Sequence, residues 1–330
     1  MGALVAVAAT VAAQAQPTRY LPGGRVLLDA HNAYPEDGRF ADRIDRALAT
    51  GVPLAIEQDL AWCQVRATGR FEPVVAHQPA CTGTEPTLRA YFFDRVRPLL
   101  DAALLRGVSP DWPIITLNLD FKTNEPAHHA AVWALLGEYD RWLTTAIRTA
   151  DGTPPSPLHV GPLLVLTGDN DVQEQTFASA VPVGSPLRVF GAIHSQPAPA
   201  GEDPTARPRA TPATSYRRWW NHPWSAVEVG GQRTAGEWTP ADAERLQALV
   251  ADAHAHGLWL RVYTLNGHEA SDGEGWTASY NFGSLAAVTT RWQAAAEAGV
   301  DFIATDQYDA FAWWHRMAAS SPRTSAGPRQ

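Results

Sequence analysis

Short apolar runs that end in polar residues alternate with helical stretches along the whole chain. About eight such runs recur in roughly 300 residues, and no Gly-rich phosphate loop follows the first of them. Together these features predict an α/β protein, a single-domain (β/α)8 TIM barrel. An open doubly wound sheet is the competing architecture, and the missing glycine fingerprint speaks against it.

Taken in order, residues 25–31 (RVLLDAH) form the first strand and residues 39–51 (RFADRIDRALATG) a helix closed by Gly51. Strands are predicted over 53–62 (PLAIEQDLAW) and 71–78 (FEPVVAHQ), then a helix over 87–107. Residues 113–122 (PIITLNLDFK) are the fourth strand, followed by one helix over 126–150 and a strand over 162–168 (PLLVLTG). Residues 172–180 (VQEQTFASA) precede a strand at 187–194 (LRVFGAIH). Helix 239–257 leads to strand 258–266 (LWLRVYTLN), and helix 283–299 leads to the last strand, 300–306 (VDFIATD). Two Pro- and Gly-rich stretches, 151–162 and 195–215, read as long surface loops, because the alternation resumes after each.

The barrel domain is expected over residues 16–318, with a flexible tail at 319–330. Residues 1–15 are small and apolar and end in Ala13-Gln14-Ala15, the pattern of a secretory signal. The protein is therefore expected to be secreted or periplasmic. Its only cysteines, Cys63 and Cys81, are then expected to form a disulfide. A net charge of −8 argues against a nucleic-acid partner, and a monomer is expected. The 13 Trp are many for this length and suit a core as well as sugar or lipid contacts.

Chemistry concentrates where strands end, which in a parallel barrel is one mouth. The first strand ends in His31 and Asn32, and the third in His77. Glu57 and Asp59 on the second strand are spaced by two and so share a face, as do Asn118, Asp120 and Lys122 on the fourth. Later strands end in Tyr263 and Asn266, and in Thr305 and Asp306. Glu57, Asp59 and Asp120 can hold one hard divalent cation, Mg or Ca, with Asn32 adding a neutral oxygen. His31 and His77 suit a general acid and base, and Lys122, Tyr263 and Asn266 suit substrate positioning. His128, His129, His254 and His256 lie at helix ends and are assigned to structure; His194 ends a strand and is a weaker candidate.

These segments, in this order, resemble the superfamily of barrel phosphodiesterases that includes phosphatidylinositol-specific phospholipases C, glycerophosphodiester phosphodiesterases and sphingomyelinases D. The resemblance runs through AHNAY, IEQDL, VVAHQ, LNLDFK, RVYTLN and AGVDFIATDQYD, from Arg25 to Asp309. It implies acid/base or nucleophilic steps at His31 and His77, and Mg or Ca on Glu57, Asp59 and Asp120. His followed by Asn is similar to the eukaryotic-type phospholipase C, where the Asn joins the metal, and Asp-x-Lys to the sphingomyelinase D arrangement, where the lysine contacts phosphate. The chain departs from the His-Arg-Gly opening of glycerophosphodiesterases, carrying Asn32 and Ala33 instead. The expected activity is a phosphoric diester hydrolase acting on a phospholipid or glycerophosphodiester, with possible peripheral membrane contact. An internal hydroxyl as nucleophile would yield a cyclic phosphate, and water a monoester. The rival expectations are a secreted glycosidase using Glu57 and Asp120, and a non-catalytic barrel that binds lipid or carbohydrate.

Overall fold

The computed structural model describes residues 21–35, 40–195, 207–228, 236–269, 271 and 281–320. The expected signal segment, its end near Gln16, and residues 321–330 of the expected tail lie outside them, whereas residues 319 and 320, also expected in that tail, belong to the last helix. In chain order the strands are β1 (Leu27–Ala30), β2 (Leu54–Gln64), β3 (Phe71–Val75), β4 (Ile115–Phe121), β5 (Thr145–Ile147), β6 (Leu158–His159), β7 (Leu163–Thr167), β8 (Pro186–Leu187), β9 (Phe190–Ala192), β10 (Arg217–Pro223), β11 (Trp259–Tyr263) and β12 (Phe302–Thr305). The helices are α1 (Arg43–Ala49), α2 (Asp94–Arg106), α3 (Pro126–Gly137), α4 (Asp171–Glu174), α5 (Pro240–Ala255), α6 (Leu285–Ala298) and α7 (Tyr308–Ser320).

Eight strands pair in parallel in the order β1, β2, β4, β7, β9, β10, β11, β12, and β12 returns to β1, which closes the barrel. The predicted (β/α)8 fold is therefore the observed one. Strands buried on both faces read as continuous apolar runs, as in Leu163–Thr167, which is buried throughout. Helix ends follow local chemistry. Thr239 and Asp242 form a capping box at the start of α5. Gly299 takes the left-handed conformation (φ 87°) that terminates α6. Trp142, Trp219, Trp220, Trp224 and Trp292 are fully buried, so these five serve the core and not ligands.

Three details of the predicted layout change. The predicted third strand is not a barrel strand: β3 folds back antiparallel on β2. Only residues 65–70 separate the two, and a parallel neighbour needs a crossover of about a dozen residues or more. The eighth barrel strand is instead β10, which the sequence reading left unassigned between the loop ending at 215 and the helix starting at 239. Its Arg217, Arg218, Asn221 and His222 interrupt the apolar pattern around Trp219 and Trp220. The helix expected over 126–150 ends at Gly137, and β5 pairs antiparallel with β6 and β8 in a small second sheet. Within residues 144–147 (TTAI), Thr144, Thr145 and Ile147 carry β-branched side chains that favour strand over helix.

The β2–β3 hairpin extends above the barrel and is tied by a Cys63–Cys81 disulfide with a Cα–Cα distance of 6.1 Å. Closing an 18-residue separation stabilises by about 3 kcal/mol in the chain-entropy model. Reduction, or Cys63→Ser with Cys81→Ser, is expected to lower unfolding stability by about that amount in a denaturant titration. An unchanged midpoint would show that the hairpin is held by other contacts.

Candidate active site

The first strand answers for its own polar ending through its neighbours. β1 runs beside β12 with Ala30 opposite Thr305, and the His31 N–H donates to the Thr305 carbonyl at 3.2 Å. That register sets His31 against Asp306: Nδ1 lies 2.8 Å from Oδ1. Asn32 follows with φ 54°, a left-handed conformation that Asn tolerates better than most residues. Its backbone N–H then donates to Glu57 Oε2 at 3.1 Å. Its side-chain carbonyl accepts from the Tyr34 hydroxyl at 2.8 Å, which orients the amide so that Nδ2 donates to both Asp306 oxygens at 3.1 and 3.2 Å. The Asn32 amide and the His31 Nδ1–H thus converge on one carboxylate, which explains their own 2.9 Å approach. With the proton held at Nδ1, Nε2 is the atom presented to Glu57 Oε2, 3.5 Å away.

β2 and β4 deliver the acids. Glu57 lies opposite Asn118 and Asp59 opposite Asp120, so the alternation seen in sequence places these side chains side by side. One carboxylate oxygen from each of Glu57, Asp59 and Asp120 falls within 4.8 Å of the others. Glu57 and Asp59 are buried, whereas the Asp120 side chain is exposed. Lys122 follows Asp120 at the same edge, its Nζ 2.7 Å from Asp120 Oδ2 and 3.1 Å from Asp59 Oδ2. The Asp59 contact is an ion pair by distance but lacks hydrogen-bond geometry, so Asp59 Oδ2 is a buried oxygen without a hydrogen-bond donor.

Electrostatics separate the acids sharply. Burial works against ionised Glu57, but His31, Arg261, the Asn32 N–H and Lys122 outweigh it and hold its pKa at about 2. Asp59 goes the other way: burial, then Asp120 and Glu57, raise it well above the usual carboxylate range, against the opposing pull of Lys122. Lys122 is raised, since Asp59 and Asp120 overcome its own burial. A buried, under-donated Asp59 among other carboxylates is a site short of positive charge. Three hard oxygens at this spacing fit a divalent cation.

His77 arrives by the hairpin. Leu60 pairs with Val75, and the Ala76 N–H donates to the Asp59 carbonyl at 3.0 Å, so the residue after Ala76 stands at the mouth. Its ring stacks on Tyr34 with centroids 5.8 Å apart and 12° between planes. Burial, Lys122 and His31 press its pKa down, against smaller upward effects of Asp120 and Glu57. His31 shifts up: burial lowers it, but Glu57 and Asp306 together raise it more.

Tyr263, at the end of β11, lies over the same mouth, its ring 6.3 Å from that of His31. Asn266 is used differently from the expectation. It is 1% exposed, and its side-chain carbonyl accepts from the Thr305 hydroxyl at 2.9 Å and the Asp306 N–H at 2.7 Å. It holds the turn that carries Asp306. Gly267 beside it leaves no room for a Cβ against the Ser284 backbone, which lets this turn close on α6.

The sequence reading omitted Arg261. It is buried and reaches across the barrel, its Nε bonded to Asp29, one terminal nitrogen to Asn221 Oδ1 at 3.1 Å and the other to Glu57 Oε1 at 3.1 Å. Its spacing by two from Tyr263, like that of Asp29 from His31, was the available signal. The histidines assigned to structure sit apart from the mouth contacts. His128 and His129 pack against Phe121 and Phe177, while His254 pairs with Asp301 at 2.9 Å. His194 joins a network with Asp169, Asp171 and Arg217.

No protein-family model matches the chain, and no curated protein matches it. Solved structures similar to it include a glycerophosphoryl diester phosphodiesterase from Parabacteroides distasonis ATCC 8503, at 13% identity over 93% of this chain and 89% of that one, with a TM-score of 0.41. A glycerophosphodiester phosphodiesterase from the same organism is 12% identical over 89% and 98%, with a TM-score of 0.46. Another, from Agrobacterium tumefaciens strain C58, is 16% identical over 88% and 100%, with a TM-score of 0.38. At these identities and scores the likeness assigns no role to any residue of this chain, and the site rests on its own geometry.

Proposed function

We propose that this protein is an exported, cation-dependent phosphodiesterase that uses an imidazole pair for proton transfer. The observation that carries the proposal is the meeting of three acidic oxygens within 4.8 Å of one another beside the His31–Asp306 pair, with His77 on the same rim. Glu57, Asp59 and Asp120 would hold Mg or Ca. A bound divalent ion supplies charge neutralisation at a phosphoryl oxygen and lowers the pKa of an attacking hydroxyl.

The protein's own groups do the rest. Asp306 holds the His31 Nδ1–H, so Nε2 is the basic atom and accepts the proton of the attacking hydroxyl. Glu57 is the largest charge raising His31; once Glu57 is engaged by a cation, Asp306 remains to support the imidazolium that forms. His77 is exposed at the rim, where a leaving alcohol departs to solvent, and is placed to donate a proton to that oxygen. Lys122 supplies positive charge for the anionic diester, and Tyr263 flanks it. Asn32, Arg261 and Asn266 keep Glu57 and Asp306 in place. The convergence of the carboxylates argues against the glycosidase reading, which needs two acids facing each other across a sugar. The disulfide supports an oxidising compartment, secreted or periplasmic. A glycerophosphodiester or phospholipid is the substrate class, and water or an internal hydroxyl the nucleophile.

Turnover of bis(p-nitrophenyl) phosphate and of a phospholipid panel, followed by product mass, tests this directly. Hydrolysis is expected with Mg or Ca and is expected to cease in chelator. Full activity in chelator would end the cation-dependent reading. A thermal melt gives an independent check. The pKa of Asp59 is raised in the folded protein, so its stabilising contribution is complete below its unfolded value and is lost as pH rises through its folded value. In chelator, wild type is expected to lose melting temperature relative to Asp59→Asn as the pH is raised from acid to neutral. Added divalent ion should erase that deficit in wild type only.

A further inference from the structure

We propose that the Lys122 ammonium occupies, between Asp59 and Asp120, the position that a divalent cation must take, so that cation binding displaces it. The inference rests on the cation reading of the acidic trio and adds an internal competitor to it. Nζ stands 2.7 Å from Asp120 Oδ2 and 3.1 Å from Asp59 Oδ2, and those two residues supply two of the three converging oxygens. A doubly charged ion and an ammonium cannot share the same two oxygens at such distances without strong repulsion.

The two cationic side chains that pair with the acidic trio differ in what they can do about it. Arg261 is 2% exposed and committed at once to Asp29, Asn221 and Glu57. Lys122 has a side chain 21% exposed on a flexible four-carbon stem, and its partner Asp120 is itself open to solvent. Arg261 therefore stays and Lys122 yields. This resolves an apparent conflict in its two assignments: the ammonium that neutralises the carboxylates before loading becomes the one that meets the phosphodiester after it. Asp59 and Asp120 thus have a cation beside them in both states, and cation affinity is set by the exchange and not by the carboxylates alone.

The test is calorimetric titration of the chelator-treated, disulfide-intact full chain with magnesium chloride and with calcium chloride, read as binding and independent of turnover. Lys122→Met removes the charge and keeps the length; Lys122→Gln is a second neutral variant; Lys122→Arg keeps the charge. Circular dichroism first confirms that each is folded. Both neutral variants are expected to bind the cation on the order of tenfold tighter than wild type, and Lys122→Arg no tighter. Neutral variants that bind with wild-type affinity or weaker overturn the exchange while leaving the cation site standing. Cation binding by neither wild type nor any variant overturns the cation reading itself.

Discussion

His31→Ala lowers diester turnover by about 10²–10⁴-fold, and no choice of leaving group restores it. His77→Ala costs a similar factor with an alkyl leaving group but recovers most of its activity when the leaving group is p-nitrophenolate, which needs no proton. The asymmetry follows from the site. His31 carries its proton toward Asp306 and its lone pair toward the reacting centre, while His77 stands at the solvent rim. The pH profile has matching signs. Turnover needs His31 unprotonated, so it falls as pH drops through the His31 pKa. It needs His77 protonated, so it also falls as pH rises through the His77 pKa. His31 is raised and His77 lowered, so the working state, neutral His31 with protonated His77, is a minority form and the optimum lies between the two pKa values. With the p-nitrophenyl diester, His77→Ala should lose the alkaline limb and rise to a plateau. If instead the p-nitrophenyl substrate rescues His31→Ala and not His77→Ala, the roles are exchanged. If it rescues neither, the proton-transfer pair is wrong.

Arg261→Leu is expected to destabilise the cation-free protein by about 3–5 kcal/mol in denaturant unfolding, because it leaves Asp29 and Glu57 buried with their shared counter-charge removed. Arg261→Lys should recover little. A guanidinium reaches Asp29, Asn221 and Glu57 with separate donors, and a single ammonium cannot span all three. Adding Asp29→Leu to Arg261→Leu removes one of the stranded charges and should return part of the stability. A loss below about 1 kcal/mol for Arg261→Leu would mean that the buried carboxylates take up protons at little cost. In that case the guanidinium would not be what keeps Glu57 ionised.

The period-two spacings of Glu57 with Asp59 and of Asp120 with Lys122 were readable from the chain, because a strand keeps its faces regardless of context. Their meeting is the product of the register between β2 and β4, which puts Asp59 opposite Asp120. Asp306 was visible as a polar strand end, yet its function depends on β12 lying beside β1, 275 residues away in sequence. Asn266 shows the opposite error. A polar side chain at a strand end suggested a substrate contact, and the fold spends it on the backbone of Asp306. β10 went unread because polar residues interrupt its apolar run, and one of them, Asn221, is there to meet Arg261 on the neighbouring strand.

Composition, strand–helix alternation and the order of polar strand ends determined the closed parallel barrel and the residue types gathered at its mouth, since both follow from local periodicity and burial. Only the tertiary structure decided which imidazole at the mouth is held by a carboxylate, that the single lysine, Lys122, faces two acids, and that Arg261 underpins Glu57. Those are contacts between distant segments, set by strand register and the low-dielectric interior that makes each charge depend on its neighbours.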